Sequence, residues 1–418
     1  MRLNRHDILK YAGAAAASIA LSMYGCSKTD APTESKQLGL EKKIFIYTQS
    51  LTSTKNDELV LQSSDFWIPH LYDLSFDRTY ESRDTGKKKT VKKKIKGKWK
   101  NVSEPIYTDV LVKTTPHLTN RASQKSIDNF VDKSGELYIT PMLGVQNTED
   151  IKELLLDPKK YVSLIADEIK RKGFDGITVD IERETIGKEY SRQLVSFMEE
   201  LRRQLPTKDY TISIAVSPRF KGSEKNYPHH AFYDYNSLEK HVDYIHLMCY
   251  DFHKGVKGNT PRPVLSDSEL KKVLDYAVET IPKEKTVVLL PFYGGQWTVK
   301  DVLVGKGKKR HTEQAFSKPK ALSADYQSRN MSNFNIKNKT YDNGELRIET
   351  KDGKIIYGQD EKVFSDRLKI LDAYNVPGVG GWRQSHASTE ILETYKGWKP
   401  STYNLGAFFN RLFGAKLF

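Results

Sequence analysis

The sequence predicts an α/β fold, a closed (β/α)8 barrel of the TIM type carrying two insertions, and three observations predict it. Eight short apolar, β-branched runs alternate with stretches whose apolar residues recur three and four apart, the spacing of amphipathic helices. No Gly-rich phosphate loop follows an early run, although a doubly wound open sheet, the runner-up architecture, would want one. A length of 418 residues suits one barrel with enlarged loops.

Residues 1–26, "MRLNRHDILKYAGAAAASIALSMYGC", begin with Arg2, Arg5 and Lys10 and continue into a small-residue apolar stretch too short and too Ala/Gly-rich for a membrane span. This reads as an export signal. Its "SMYGC" ending resembles a bacterial lipobox with Met23 where Leu is usual, which makes Cys26 the expected lipidation site. "NRHDILK" also resembles a twin-arginine signal with His6 in place of the second arginine. A buried or anchoring N-terminal helix is the plainer alternative. Residues 27–41 are polar and aperiodic, a tether.

The folded body spans 42–400. Its predicted strands lie in "KIFIYT", "IPHLYDLSF", "ELYITPML", "FDGITVDIE", "YTISIAVS", "VDYIHLMCYD", "KTVVLLPFYGG" and "VPGVGGW". Segments such as "LLLDPKKYVSLIADEIKRKG" and "KEYSRQLVSFMEELRRQL" supply helices between them. A basic insertion is expected at about 80–105, after the second strand. A second, at about 298–357 between strands seven and eight, contains "NGELRIETKDGKIIYG", an alternating run between two turn signals, and so predicts a small α+β unit. The tail, 401–418, puts Phe408, Phe409, Leu412 and Phe413 on one helical face, to pack under the barrel or to touch a membrane.

The net charge of +14 calls for an acidic partner or a solvated basic surface. Much of it sits in "RDTGKKKTVKKKIKGKWK", where basic residues greatly outnumber the single Asp84. Such a run either guards a hairpin edge against pairing or docks an anionic envelope polymer. No nucleic-acid partner is expected, since no recognised binding module accompanies the run. Cys26 and Cys249 form no disulfide framework, and Cys249 reads as a small buried thiol.

The chemistry concentrates in "FDGITVDIE". Side chains alternate along a barrel strand, so Thr178, Asp180 and Glu182 all face inward, with Glu182 at the C-terminal rim where barrel active sites form. A buried acid balanced by an unseen cation is the structural alternative.

"DGITVDIE" resembles the DGxDxDxE signature of glycoside hydrolase family 18, the chitinases and their relatives, with Thr178 where many members have Asp. "LMCYD" (Leu247 to Asp251) is similar to the family's M-x-Y-D, which includes Met248, "LPFYGGQW" to its seventh strand, and "GVGGW", ending at Trp382, to its eighth. The resemblance runs from about Lys42 to Trp398. It looks closest to the branch of spore-cortex N-acetylglucosaminidases and chitobiase-like proteins, in which the position of Thr178 is often a neutral polar residue.

The resemblance implies hydrolysis of β-1,4 linkages next to N-acetylglucosamine, in chitin oligomers, peptidoglycan or a glycan, by a retaining mechanism in which the sugar's 2-acetamido oxygen attacks. It implies Glu182 as proton donor, Asp180 steering the acetamido N–H, Tyr250 reaching the acetamido oxygen, and Asp251 contacting substrate or tuning the acid. Trp382 is implied as a flat floor for the sugar, and Met248 as part of the substrate surface. Tyr47 and Trp297 belong either to that surface or to the core. Thr178 can only hydrogen-bond Asp180 where an acid could share a proton, so Asp180 is expected to be a more persistent anion.

No cofactor or metal is expected, and a monomer is. The location expected from the signal is the bacterial cell envelope, as a membrane-anchored lipoprotein exposed to periplasm or cell surface. Two competing readings are a non-catalytic carbohydrate-binding protein, which the presence of Glu182 weakens, and a metal-dependent hydrolase using Asp175, Asp180, Glu182 and Asp251, which the lack of a paired His weakens.

Overall fold

The structure, a computed structural model, describes residues 42–48, 64–95, 98–120, 122–123, 125–129, 137–225, 227–254, 259–304 and 310–398. The expected export signal, Cys26, the tether and the C-terminal tail lie outside the described residues.

Eight parallel staves form the barrel: Lys43–Thr48, the start of Phe66–Ile95, Met142–Val145 (preceded by Tyr138–Ile139), Gly176–Ile181, Thr211–Val216, Tyr244–Met248, Thr286–Pro291 and Gly378–Trp382. Each pairs with its neighbours in chain order. The first pairs with both the second (Phe45↔Phe66) and the eighth (Phe45↔Gly380), which closes the ring and leaves no edge among the staves. All eight expected strands are present.

Alternation along the staves divides the apolar residues into two cores. Ile44, Ile46, Ile177, Val179, Ile181, Ile212, Ile214 and Leu247 point outward under the helices. Phe45, Tyr47, Phe66, Ile68, Met142, Ala215, Met248, Val287 and Leu289 fill the interior, where Phe45 stacks on Phe66 at 4.4 Å. Burial of each such large side chain stabilises the fold by about 1.5–3 kcal/mol.

The helices cover the outer core because their sequences present one apolar face. In Pro158–Lys172 the buried residues Tyr161, Val162, Ile165, Ala166 and Ile169 follow the three/four spacing. Asp157 caps its start, Pro158 occupies the first turn, and Gly173, at φ 70°, ends it in the left-handed conformation. The next residues begin the fourth stave, so this cap sets the register that delivers Asp180. Asp175 accepts the Ile139 N–H at 2.8 Å, and Gly176 is required because a Cβ there would meet Thr211 O at 1.8 Å. The "DG" of the signature is therefore architectural, whereas its last two carboxylates face the mouth.

Both insertions are present. The second stave runs straight on into an antiparallel hairpin, Phe66–Ile95 with Lys98–Asn120, and the Lys-rich segment forms its far end, where Lys94 faces Trp99. Phe76 packs on Tyr161 at the hairpin's base, and Arg78 reaches Asp150 at 2.8 Å.

The second insertion leaves the C-terminal end of the seventh stave at Tyr293. It is a six-stranded antiparallel sheet (293–358) with the short helix Ala324–Asn330 and its own core of Leu322, Leu346, Ile348, Ile356 and Val363. Asn343 and Gly344, both at positive φ, make the tight turn that the "NG" pair predicts. Glu345, fully buried, fastens this sheet to the barrel. It accepts the N–H groups of Val264 (2.9 Å) and Leu265 (3.0 Å), the Gln359 amide (2.7 Å) and Arg367 (3.0 Å).

Candidate active site

The fourth stave aims alternate residues into the barrel, and its neighbours leave room there. Asp180 is flanked in register by Gly144 and Ala215, two of the smallest side chains available. Below it Thr178 is fully buried, and its hydroxyl is 3.2 Å from that of Thr140. The expected Thr178–Asp180 hydrogen bond is therefore not what forms, because Thr140 from the neighbouring stave is the partner at hand.

Asp180 is 6% exposed, and its Oδ1 has no hydrogen-bond partner. Burial, reinforced by the charge of Glu182, pushes its carboxyl well above the ordinary range. Loss of hydration is the leading influence on Asp180, and the effect expected of Thr178 in place of an acid is a comparison that Thr178→Asp would test. Glu182, half-buried at the rim, is also raised, first by burial and then by the charge of Asp251, with Lys254 opposing. Burial and neighbouring acid charge thus favour the protonated form at both carboxyls, Glu182 acting on Asp180 and Asp251 on Glu182.

The sixth stave ends in two successive tight turns, Cys249 N–H to Leu247 O (2.9 Å) and Tyr250 N–H to Met248 O (2.8 Å). They carry Tyr250 inward, where it is half-buried on the inner core, and burial, followed by the charges of Glu182, Tyr293, Asp180 and Tyr47, raises its phenol well above the ordinary range. Asp251 takes a left-handed backbone (φ 67°), a conformation Asp tolerates better than most residues. Its Oδ1 accepts the Tyr293 hydroxyl at 2.7 Å and its Oδ2 accepts Lys254 Nζ. Cys249, just before Tyr250, is fully buried in the outer core, and burial pushes its thiol up.

Trp382 ends the eighth stave, half-buried on the inner core, with its ring 5.8 Å from that of Tyr47. The Trp382–Arg383 peptide is cis. Met248, 8% exposed, and Tyr47, 1% exposed, belong to the same inner cluster. Glu182, Asp180, Tyr250, Asp251, Met248, Tyr47 and Trp382 thus converge on one mouth. Trp297 is elsewhere: fully buried where the insertion meets the 251–254 loop, edge-on to His253 (5.8 Å) and Tyr357 (6.0 Å). Its ring is a packing element in this arrangement and offers no face to a ligand. Asp175, at the opposite end of its stave, binds backbone, and no group of three His, Cys, Asp or Glu among the described residues is arranged to hold a metal.

Three residues that sequence reasoning did not single out complete the site. His246, fully buried, has Nδ1 2.5 Å from the Tyr47 hydroxyl, and burial lowers its pKa to about 3, so it stays neutral. The signal was available, since His246 stands two residues before Met248 on the inward parity. Tyr293 orients Asp251, and Tyr233, from the loop after the fifth stave, donates its hydroxyl to Ile181 O at 3.0 Å beside Glu182. Nothing in the sequence around Tyr233 marks it.

The family described as Glycosyl hydrolases family 18 matches residues 117–386. Among relatives, a putative sporulation-specific glycosylase YdhD of Bacillus subtilis (strain 168) is 23% identical over 279 residues, 63% of this chain and 61% of that one. A cortical fragment-lytic enzyme of the same organism is 25% identical over 190 residues, 44% of this chain and 42% of that one. The chain thus spans about three fifths of the first relative's length. In fold it is similar to a chitinase from Chromobacterium violaceum (TM-score 0.60, 16% identity, 85% of this chain and 98% of that one). It is also similar to the spore cortex-lytic enzyme SleL of Bacillus cereus (TM-score 0.60, 15% identity, 91% and 80%). With the family's pattern spanning most of the barrel and its carboxylates gathered at one mouth, the chain belongs to glycosyl hydrolase family 18.

Proposed function

We propose that this protein is a retaining glycosidase that cleaves β-1,4 linkages next to N-acetylglucosamine, using the substrate's own 2-acetamido oxygen as nucleophile. The observation that carries the reading is the unpartnered Oδ1 of Asp180 beside Glu182, an acceptor buried with no cation of the described residues to neutralise it.

Burial favours a proton on each of the two carboxyls before substrate binds. An arriving acetamide N–H needs an acceptor, which favours the anion at Asp180 and leaves the proton on Glu182. Glu182 then protonates the leaving glycosidic oxygen while the acetamido oxygen attacks the anomeric carbon. Asp180 compensates the positive charge of the cyclic intermediate, and Glu182 activates the water that opens it. The Tyr250 hydroxyl steadies the acetamido oxygen, Trp382 and Met248 form the floor under the sugar, and Asp251, held by Tyr293, raises the acid's pKa through its charge.

The test is incubation with a panel of N-acetylglucosamine glycans and mass analysis of products, with Glu182→Gln as control. A thiazoline mimic of the cyclised intermediate should inhibit; failure to inhibit despite turnover would remove the internal nucleophile. Binding without turnover would instead favour a carbohydrate-binding protein.

The same proposal includes an envelope address through lipidated Cys26, supported by the sequence alone. Cys26→Ala should move the protein from the membrane to the soluble fraction. The Lys-rich hairpin is proposed to dock an anionic envelope polymer. Replacing Lys92, Lys93 and Lys94 with Ser should weaken binding at low salt and flatten its salt dependence.

A further inference from the structure

The turn that follows the sixth stave, Asp251 to Lys254, is closed twice by the same two residues. The Lys254 N–H donates to Asp251 O at 2.9 Å, and the Lys254 ammonium donates to Asp251 Oδ2. The other oxygen of that carboxylate, Oδ1, accepts the Tyr293 hydroxyl at 2.7 Å. His253, within the turn, packs edge-on against Trp297 at 5.8 Å and so ties the turn to the insertion. Both oxygens of Asp251 are therefore committed, and the ammonium has a fixed place although the Lys254 side chain is 64% exposed.

That place matters because of what faces Glu182. Asp180 comes from its own stave, Tyr233 from the loop after the fifth, Tyr250, Asp251 and Lys254 from the end of the sixth, and Tyr293 from the start of the insertion. His253 is lowered to about 4, first by burial, and so is neutral at physiological pH. Among these groups the cation is Lys254. Glu182 meets the charge of Asp251, which favours its protonated form, and the charge of Lys254, which opposes it.

The chemistry asks for such a balance. In the cleavage scheme above Glu182 first holds a proton for the leaving oxygen and then works as a carboxylate on water, and a group whose pKa lies near the working pH serves both steps. Burial and Asp251 together favour only the first state. A cation at the rim moves Glu182 back toward the second, and an exposed cation does so only as far as the ions of the solvent allow.

We propose that Lys254 is a positioning residue for this reaction: clamped to Asp251, it sets the alkaline limit up to which Glu182 delivers its proton and makes that limit depend on ionic strength. The proposal rests on the glycosidase reading and adds to it a residue three positions beyond the M-x-Y-D stretch.

A graded charge series on the full chain decides it: Lys254→Arg, Lys254→Met and Lys254→Glu, each assayed for kcat/KM against pH on one cleaved N-acetylglucosamine oligomer. Loss of the Glu182 proton produces the alkaline limb, and Lys254 favours the deprotonated form, so removing the cation should move the limb to higher pH. Lys254→Arg should keep the parent's limb, while Lys254→Met should raise it by about half a pH unit and Lys254→Glu by about one, with the plateau about threefold lower in both. At about 1 M salt the gap between the parent and Lys254→Met should narrow, because an exposed cation is screened more than buried couplings are. All three variants should melt within a few degrees of the parent, since the ion pair is partly exposed.

A limb that stays in place across the series while the plateau falls makes Lys254 a residue that only holds the turn, and overturns the proposal. So does a limb that moves to lower pH, or one that Lys254→Arg shifts as far as Lys254→Met. If the parent cleaves nothing, the glycosidase reading fails by itself, and the Glu182 carboxyl is then titrated directly by NMR on protein labelled with carbon-13 at its Glu carboxyls, the signal being identified by its loss in Glu182→Gln. A midpoint higher in Lys254→Met than in the parent supports the coupling, and equal midpoints reject it.

Discussion

Two buried carboxyl sites in this molecule have opposite surroundings. Glu345 has no solvent exposure, yet donors surround it: Leu265 N–H, Gln359 and Arg367 on one oxygen and Val264 N–H on the other. Burial still tends to raise it, and those donors oppose the rise. Asp180 is nearly as buried and receives none of this; its Oδ1 is bare and its strongest charged neighbour is another acid. A fold that satisfies one buried acid so completely has the means to satisfy the other. The difference separates an acid that joins two parts of the structure from one kept short of partners for chemistry.

Breaking the mouth should give the largest effect. Glu182→Gln removes the proton donor and should reduce turnover by about 10²–10⁴-fold, measured on any cleaved oligomer, with thermal stability not lowered. Asp180→Asn should cut turnover by about 10²–10³-fold and also sharpen the comparison through stability. Asp180 has a raised folded-state pKa, so between its unfolded value near 4 and that raised value the folded state binds more protons and stability falls as pH rises. The variant should therefore melt above the parent at neutral pH, and the gap should close below about pH 4. A parent that gains stability on going from pH 4 to 7 relative to Asp180→Asn would contradict the burial argument.

At the joint, Arg367→Met leaves Glu345 buried without its cation and should cost about 3–5 kcal/mol in denaturant unfolding, with partial recovery when Glu345→Gln is added. The smallest change is Tyr293→Phe, which removes one hydrogen bond to Asp251. It should lower kcat/KM by about tenfold, the worth of about 1.5 kcal/mol, and leave the melting temperature within a few degrees.

The barrel was legible because its signal is carried by many residues at once: inward and outward parity repeats over eight staves, and no single substitution hides it. Both insertions were legible for a similar reason, one from its charge run and the other from "NG" and the alternation beyond it. The seven residues at the mouth could be named because motif and parity agree there. Trp297 was left between surface and core because an aromatic at a strand's end reads alike whether solvent or another loop covers it, and His253 and Tyr357 cover it. Thr178 was given the wrong partner because sequence shows what lies along a strand and conceals what lies across it, here Thr140. Tyr233 reaches the site from a loop, where no period exists to read.

The hairpin that continues the second stave begins and ends at one place. Arg78 faces Thr114 across it, and at and below that level Arg78 and Phe76 tie its base to the helices. Antiparallel partners lie only about 5 Å apart. A two-residue turn spliced between these positions would excise the whole Lys-rich projection without opening the ring, and so yield a minimal catalytic body from which the contribution of the removed arm can be read by subtraction.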